Sequence, residues 1–347
     1  MRNGPSTRIL ARAASWTPRI QSWLGGQLLA PDVPIVSGRA FWNASQKVVD
    51  GLKITVPRFD GAPDWLPRRP DDPLARYGQQ LDVTVTAAGV DVRLGRFEIA
   101  DWNYTGSTVS VVATGLMQLA VDDRLLEAWA PRDDGTLRSE AIRMLPGKVV
   151  AQFDAGLVDR EVPATTSWTL ERVDNLYAIA KAWPAVIRPD SWGQVLFKPP
   201  PVLTDPVLSL TDGEDGTVVT VPRRDTRSGA FNIVKATSKA DGVTASATAT
   251  TTSGPMAVDR YGSVSKEVSS LLLLNEQQCF EMADAERAAS LRQSSVLQVE
   301  MAPDPRLELD DPVEVIHDGI RDWGLVVAAD IPLTVRDGAM RLDVGVL

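Results

Sequence analysis

His317 and Cys279 are the one imidazole and the one thiol of this 347-residue sequence. A lone imidazole excludes every metal or nucleophilic site that needs two, and a lone thiol excludes an intramolecular disulfide and a thiolate metal cage. His317 stands in Val315-Ile316-His317-Asp318-Gly319, a strand end entering a turn. A histidine followed by aspartate can be half of a catalytic pair, but no G-x-S-x-G elbow accompanies it. Cys279 lies just inside an expected helix start, where the helix dipole could activate it. With a single histidine to partner it, a packed and inert thiol is the better reading. No phosphate loop, G-x-G-x-x-G or H-E-x-x-H motif occurs.

The carboxylates offer little more. Asp212-Gly213-Glu214-Asp215-Gly216 sets three acids among two glycines, which could wrap calcium. It lacks the further spaced oxygens and the closing glutamate of a full calcium loop, and a glycine-rich turn between two strands accounts for it better. Acidic pairs stand at Asp71-Asp72, Asp122-Asp123 and Asp310-Asp311. Glycan hydrolysis needs two carboxylates roughly 5–10 Å apart across a sugar, whereas sequence neighbours on a strand point to opposite faces. Solvated loop acids are the better reading of the pairs. No catalytic constellation emerges, and neither a cofactor nor a metal is expected.

Arginines cluster at Pro67-Arg68-Arg69-Pro70-Asp71-Asp72 and at Val221-Pro222-Arg223-Arg224-Asp225. Acids follow at once, so salt-bridged loops or subunit contacts fit better than a nucleic-acid face with stacking aromatics. Pro57, Pro63, Pro67, Pro70 and Pro73 stiffen the first of these loops. Trp65 within it could fasten the loop down or reach a neighbouring chain. Trp65, Arg68, Arg69, Arg223 and Arg224 are the expected assembly contacts.

The elements that would position these residues are mostly strands. Leu52-Lys53-Ile54-Thr55-Val56 and Leu81-Asp82-Val83-Thr84-Val85 alternate apolar and polar side chains at period two. Val33–Val36, Arg93–Ala100 and Thr108–Ala113 read as further strands. In the middle, Val173, Leu176, Tyr177, Ala180 and Trp183 form one stripe of a helix over Thr169–Trp183 that Pro184 stops, and Leu137–Leu145 reads as a shorter helix. Strands return in the last third, interrupted by one helix over 275–292 that Asn275 and Gln278 open with a capping-box spacing. The expected division is an N-terminal arm or short helix (1–27), a β-domain (28–125), a mixed α/β unit (126–199) and a second β-domain (200–347). The class is mainly β with an α+β middle.

Composition bounds the function. The net charge of −9 opposes a dedicated nucleic-acid binder, which would show a basic face. No run approaches the roughly 18 apolar residues of a membrane-spanning helix. Arg2, Arg8, Arg12 and Arg19 precede the first acid, Asp32, as in an organellar transit peptide. Pro5, Pro18, Gly25 and Gly26 interrupt any long helix there, and Trp16 and Trp23 suit a mature protein better than a leader.

Taken together, these segments carry a family resemblance. Asp32–Ala40 followed by Gly51–Pro57, then Pro73–Leu81 and Leu94–Ile99, resemble the opening of actinobacteriophage minor tail proteins. Gly115–Gln118, Asp122–Leu125, Arg227 with Asn232–Val234, and Ser253–Pro255 with Tyr261-Gly262 agree in order and spacing, and the helix from Asn275 looks like part of the closing domain of tail-tip hub proteins. The resemblance covers the chain from about Asp32 onward. It implies two tail-tube-like β-barrel domains per chain plus an inserted mixed domain, and a homotrimer whose six barrels match a sixfold tube ring. It further implies a virion tail-tip (baseplate) hub made in the host cytoplasm, joined to the distal tail protein, the tail tube or tape-measure protein, and receptor-binding or fibre proteins. DNA would pass through transiently without specific binding, along an acidic channel that repels its phosphates. No enzymatic activity is carried over. A β-rich carbohydrate- or cell-wall-binding module, favoured by ten tryptophans, is the alternative, with a glycan hydrolase third.

Overall fold

The computed structural model describes residues 1–10, 15–61, 64–214 and 216–346. Arg12, Pro63 and Asp215, which figure above, lie outside the described residues. After the short helix α1 (Thr7–Leu10), seven strands follow: β1 (Trp16–Leu24), β2 (Gln27–Ala30), β3 (Ser37–Asn43), β4 (Asp50–Pro57), β5 (Gln80–Ala87), β6 (Val90–Tyr104) and β7 (Thr108–Gly115). Burial alternates residue by residue along β3 and β7, as one buried sheet face requires.

The expected arm over 1–27 is a strand from Trp16 onward, paired antiparallel with β5 from Trp16↔Ala87 to Trp23↔Gln80. Pro18 spoke against a strand. It is tolerated because β2 pairs only with residues 22–24 of β1, so the ladder edge at Pro18 is free. Val33–Val36, expected as a strand, joins no ladder; Pro34 lacks the amide to do so, although Val33 is buried and donates its N–H to the Ile20 carbonyl at 2.7 Å.

The middle holds α2 (Gln118–Asp122), α3 (Leu137–Met144), β8 (Ala151–Phe153), α4 (Arg172–Ala182), β9 (Val186–Pro189) and β10 (Val195–Lys198). Thr136 caps α3, its hydroxyl accepting the Ser139 N–H at 3.2 Å. Phe153 stacks on Phe197 at 5.1 Å, with Trp183 beside it. Then come β11 (Leu208–Thr211), β12 (Val218–Thr220), β13 (Arg223–Asp225), β14 (Ile233–Ser238), β15 (Ser246–Thr250), α5 (Val258–Tyr261), β16 (Ser265–Ser270), α6 (Glu276–Ser294), β17 (Ser295–Met301), β18 (Pro312–His317), β19 (Ile320–Pro332) and β20 (Met340–Val346).

The two β-rich ends join into one 14-stranded sheet through antiparallel β3–β19 pairing, from Asn43↔Ala328 to Arg39↔Pro332. Leu52, Val83 and Phe97 therefore share a core with Val313, Ile331 and Leu342. Among the described residues this sheet is open, with no closed barrel. Each end is built around one long strand. Residues 90–98 of β6 pair with β5 and 97–104 with β7; residues 320–325 of β19 pair with β18 and 324–330 with β20. A bulge interrupts both second pairings, and both hairpins turn on two residues of positive φ, Ala88-Gly89 and Asp318-Gly319.

A second core gathers Leu137, Leu176 and Phe197 of the middle with Val234, Leu273 and Cys279 from the last third. The three-stranded sheet β15-β14-β16 and the α6 helix that covers it thus share a core with the middle, and α6 also touches β17 and β20 of the large sheet. No helix of the described residues is long and apolar enough to cross a membrane.

Candidate functional site

Beyond Pro57 the chain leaves β4 and enters the proline-rich loop. Arg58 forks onto Asp64, with both N···O distances at 3.0 Å, and donates to the Tyr104 hydroxyl at 2.7 Å. The Arg58 hydrogen bonds hold the Asp64 carboxyl well below the usual carboxylate range. Asp72 Oδ2 accepts the amides of Arg68 and Arg69 at 2.7 and 2.8 Å, and Gln79 Nε2 donates to the carbonyls of Pro70 and Asp72. Trp65 is only 9% exposed and packs into the core of the large sheet. That packing ties the loop to its own chain. The Arg68 and Arg69 side chains stay 64% and 75% exposed, tethered by Asp64 at 3.2 Å and Asp72 at 3.5 Å. The loop is a stiff platform with two guanidinium groups on top.

Arg223 and Arg224 occupy β13, where every residue is exposed. Arg223 pairs with Asp225 at 3.1 Å and approaches Asp322 at 3.6 Å. Arg224 has no ion pair within 4 Å among the described residues, and its charge draws on the half-buried Asp343, whose pKa desolvation raises. Beside β13 a groove of about 700 Å³ runs between α6 and the segment 251–261, lined by Arg223, Arg227 and Arg287, with Arg227 lying 4.5 Å from the Tyr261 ring centre. The two arginine clusters do not meet. One tops a loop leaving mid-sheet β4, and the other sits on β13, which pairs with β17 next to the terminal strand β12.

Two of the chemistry-bearing motifs, the acidic turn and the His317-Asp318 pair, meet in one place. Asp212 opens the acidic turn, and its Oδ2 lies 2.9 Å from His317 Nδ1 while accepting the Asp318 N–H at 2.9 Å. That amide bond, with His317 assisting, holds Asp212 below its ordinary pKa. The turn is thereby pinned to the β18–β19 hairpin. Cys279 is fully buried, and desolvation raises its thiol, as an inert thiol requires. Asp310 and Asp311 are not the solvated loop acids the sequence suggested. Asp310, at φ +71°, accepts from Arg188 at 2.8 Å and Lys198 at 3.0 Å in a buried cluster between the two cores. The partners lie more than 100 residues away, so no local pattern announces them.

The same fold occurs in solved structures. A tail protein from Neisseria meningitidis MC58 superposes with a TM-score of 0.67 at 14% identity, covering 94% of this chain and 96% of that one. The 43 kDa tail protein of prophage MuSo2 from Shewanella oneidensis gives 0.62 at 13% identity, covering 94% and 98%. This chain shares the fold of these two phage tail proteins. An Escherichia coli component of the type VI secretion system, described as structurally similar to the T4 bacteriophage tail proteins gp27 and gp5, gives 0.52 at 11% identity, covering 91% and 74%. No protein-family model matches the sequence, and no curated protein sequence does.

Proposed function

We propose that this chain is a structural, non-enzymatic component of a phage tail tip, a hub of three copies that continues the tail tube. The observation that carries the reading is the near-complete mutual coverage with two phage tail proteins, 94% of this chain against 96% and 98% of theirs. The two long-strand hairpin units support it. Units repeated within one chain let three copies present six similar surfaces to a sixfold ring, and free sheet edges are satisfied by pairing across subunits. In this arrangement Arg68, Arg69, Arg223 and Arg224 face protein partners, the distal tail protein above and fibre or receptor-binding proteins below. Trp65 supports the loop contact from beneath. Asp, Glu and neutral polar groups line a channel through which DNA slides. A type VI secretion component is the second reading, favoured by the secretion-system likeness.

Native mass spectrometry of the full chain tests the hub. A threefold species, weakened by Arg68→Glu with Arg69→Glu, is expected; a monomer at every concentration would overturn the trimer.

A further inference from the structure

The groove beside β13 sets free charge next to a free sheet edge. It holds about 700 Å³, within the ~300–1,000 Å³ range of ligand pockets. Arg287 of α6 spans its two walls, donating to Thr251 Oγ1 at 3.0 Å while holding Asp284. Of the described residues along it, three carry guanidinium groups and one a carboxylate. That carboxylate, Asp225, already accepts from Arg223 and from the Ser295 hydroxyl. The Arg227 side chain makes no hydrogen bond or ion pair among the described residues and lies over the Tyr261 ring at 4.5 Å. Met256, Leu291 and Val346 supply the apolar lining.

The edge belongs to β13. The Pro222 carbonyl accepts the Gln298 N–H at 2.7 Å, and the Thr226 N–H donates to the Ser294 carbonyl at 2.8 Å. Backbone groups alternate along an antiparallel ladder, so the Arg224 amide and carbonyl face β17 while those of Arg223 and Asp225 face outward. Among the described residues β13 pairs with no other strand, and all three of its residues are exposed. An open edge of this kind accepts an extended chain as a further strand.

Charge selects the chain. A guanidinium fork matches a carboxylate in two parallel bonds. Nucleic acid fits less well, because Arg227 already covers Tyr261, the one aromatic ring among the described residues along the groove, and a net charge of −9 repels a long polyanion. We propose that this groove docks an extended, acidic segment of a partner protein, which adds to the free edge of β13 and sets a carboxylate on Arg227. The proposal rests on the reading of Arg223 and Arg224 as partner contacts, and it needs neither three copies nor a place at the tail tip.

Fluorescence anisotropy of a labelled, capped Gly-Glu-Leu-Glu-Val-Glu-Gly peptide with the full chain tests it. Saturable one-to-one binding is expected, lost when glutamine replaces the glutamates. Arg227 is exposed, so Arg227→Gln keeps the fold, and it should weaken binding about tenfold or more, the fold-change of one lost charged hydrogen bond. N-methylation of alternate peptide amides separates strand addition from charge alone: one set should abolish binding and the other leave it. No saturable binding, equal binding of the glutamine peptide, no change in Arg227→Gln, equal effects of the two methylated sets, or equal displacement by oligothymidylate would each overturn the proposal. A peptide that fails on a chain still assembling threefold would strike this docking site and leave the hub standing, whereas a monomer that binds the peptide would do the reverse.

Discussion

Asp50 begins β4 at 5% exposure, with no cation within 4 Å among the described residues. It packs against Gly115, where an added Cβ would fall 1.8 Å from Oδ1. Desolvation pushes its pKa up to about 7, only partly opposed by a backbone hydrogen bond. A folded-state value above the unfolded one means the folded chain holds the proton more tightly. This contribution to stability is full below about pH 4 and is lost as pH rises through about 7, a change on the order of 4 kcal/mol. Urea unfolding at pH 5 and pH 8 should show about 2–3 kcal/mol of that fall, and Asp50→Asn should flatten it by being the more stable protein at pH 8. Equal pH slopes in the two proteins would show that Asp50 has an unseen partner. Gly115→Ala is expected to cost about 1–3 kcal/mol or more in the same assay, from overpacking against that carboxylate.

Among the elements, the two hairpins place Gly89 and Gly319 at φ +79° and +77°, where a Cβ-bearing residue is strained by roughly 1–2 kcal/mol. Gly89→Val and Gly319→Val should therefore lower stability by similar amounts; a harmless change at one turn would break the likeness of the two units. The α6 cap, Asn275 Oδ1 to the Gln278 N–H at 2.9 Å, should cost about 1 kcal/mol on Asn275→Ala, read from the urea midpoint. This cap was legible because its signal spans four residues. So were β4, β5 and β7, whose alternation is local. β1 was not: its Pro18 and Arg19 look irregular until β5, some 60 residues on, supplies the ladder. The β3–β19 joint, nearly 300 residues apart in sequence, leaves no local trace at all. Long-range partners likewise hid the Asp310 cluster, while Trp65 and the arginines could be named from the sequence but not assigned to their own chain or a neighbour.

At the scale of the whole molecule, the proline-rich platform separates support from contact. Trp65→Ala removes a side chain buried in the sheet core and is expected to destabilise the fold itself, by about 3–5 kcal/mol for a large aromatic, besides loosening the loop. The pair Arg68→Glu and Arg69→Glu leaves that packing intact and probes assembly alone. Immunogold labelling of purified tailed particles, with antibody raised against the folded chain, tests the central claim most directly. Gold confined to the tail end distal to the head is the expected result. Particles that remain unlabelled while the chain is found free, or gold spread along the tail or on the head, would contradict a tail-tip hub.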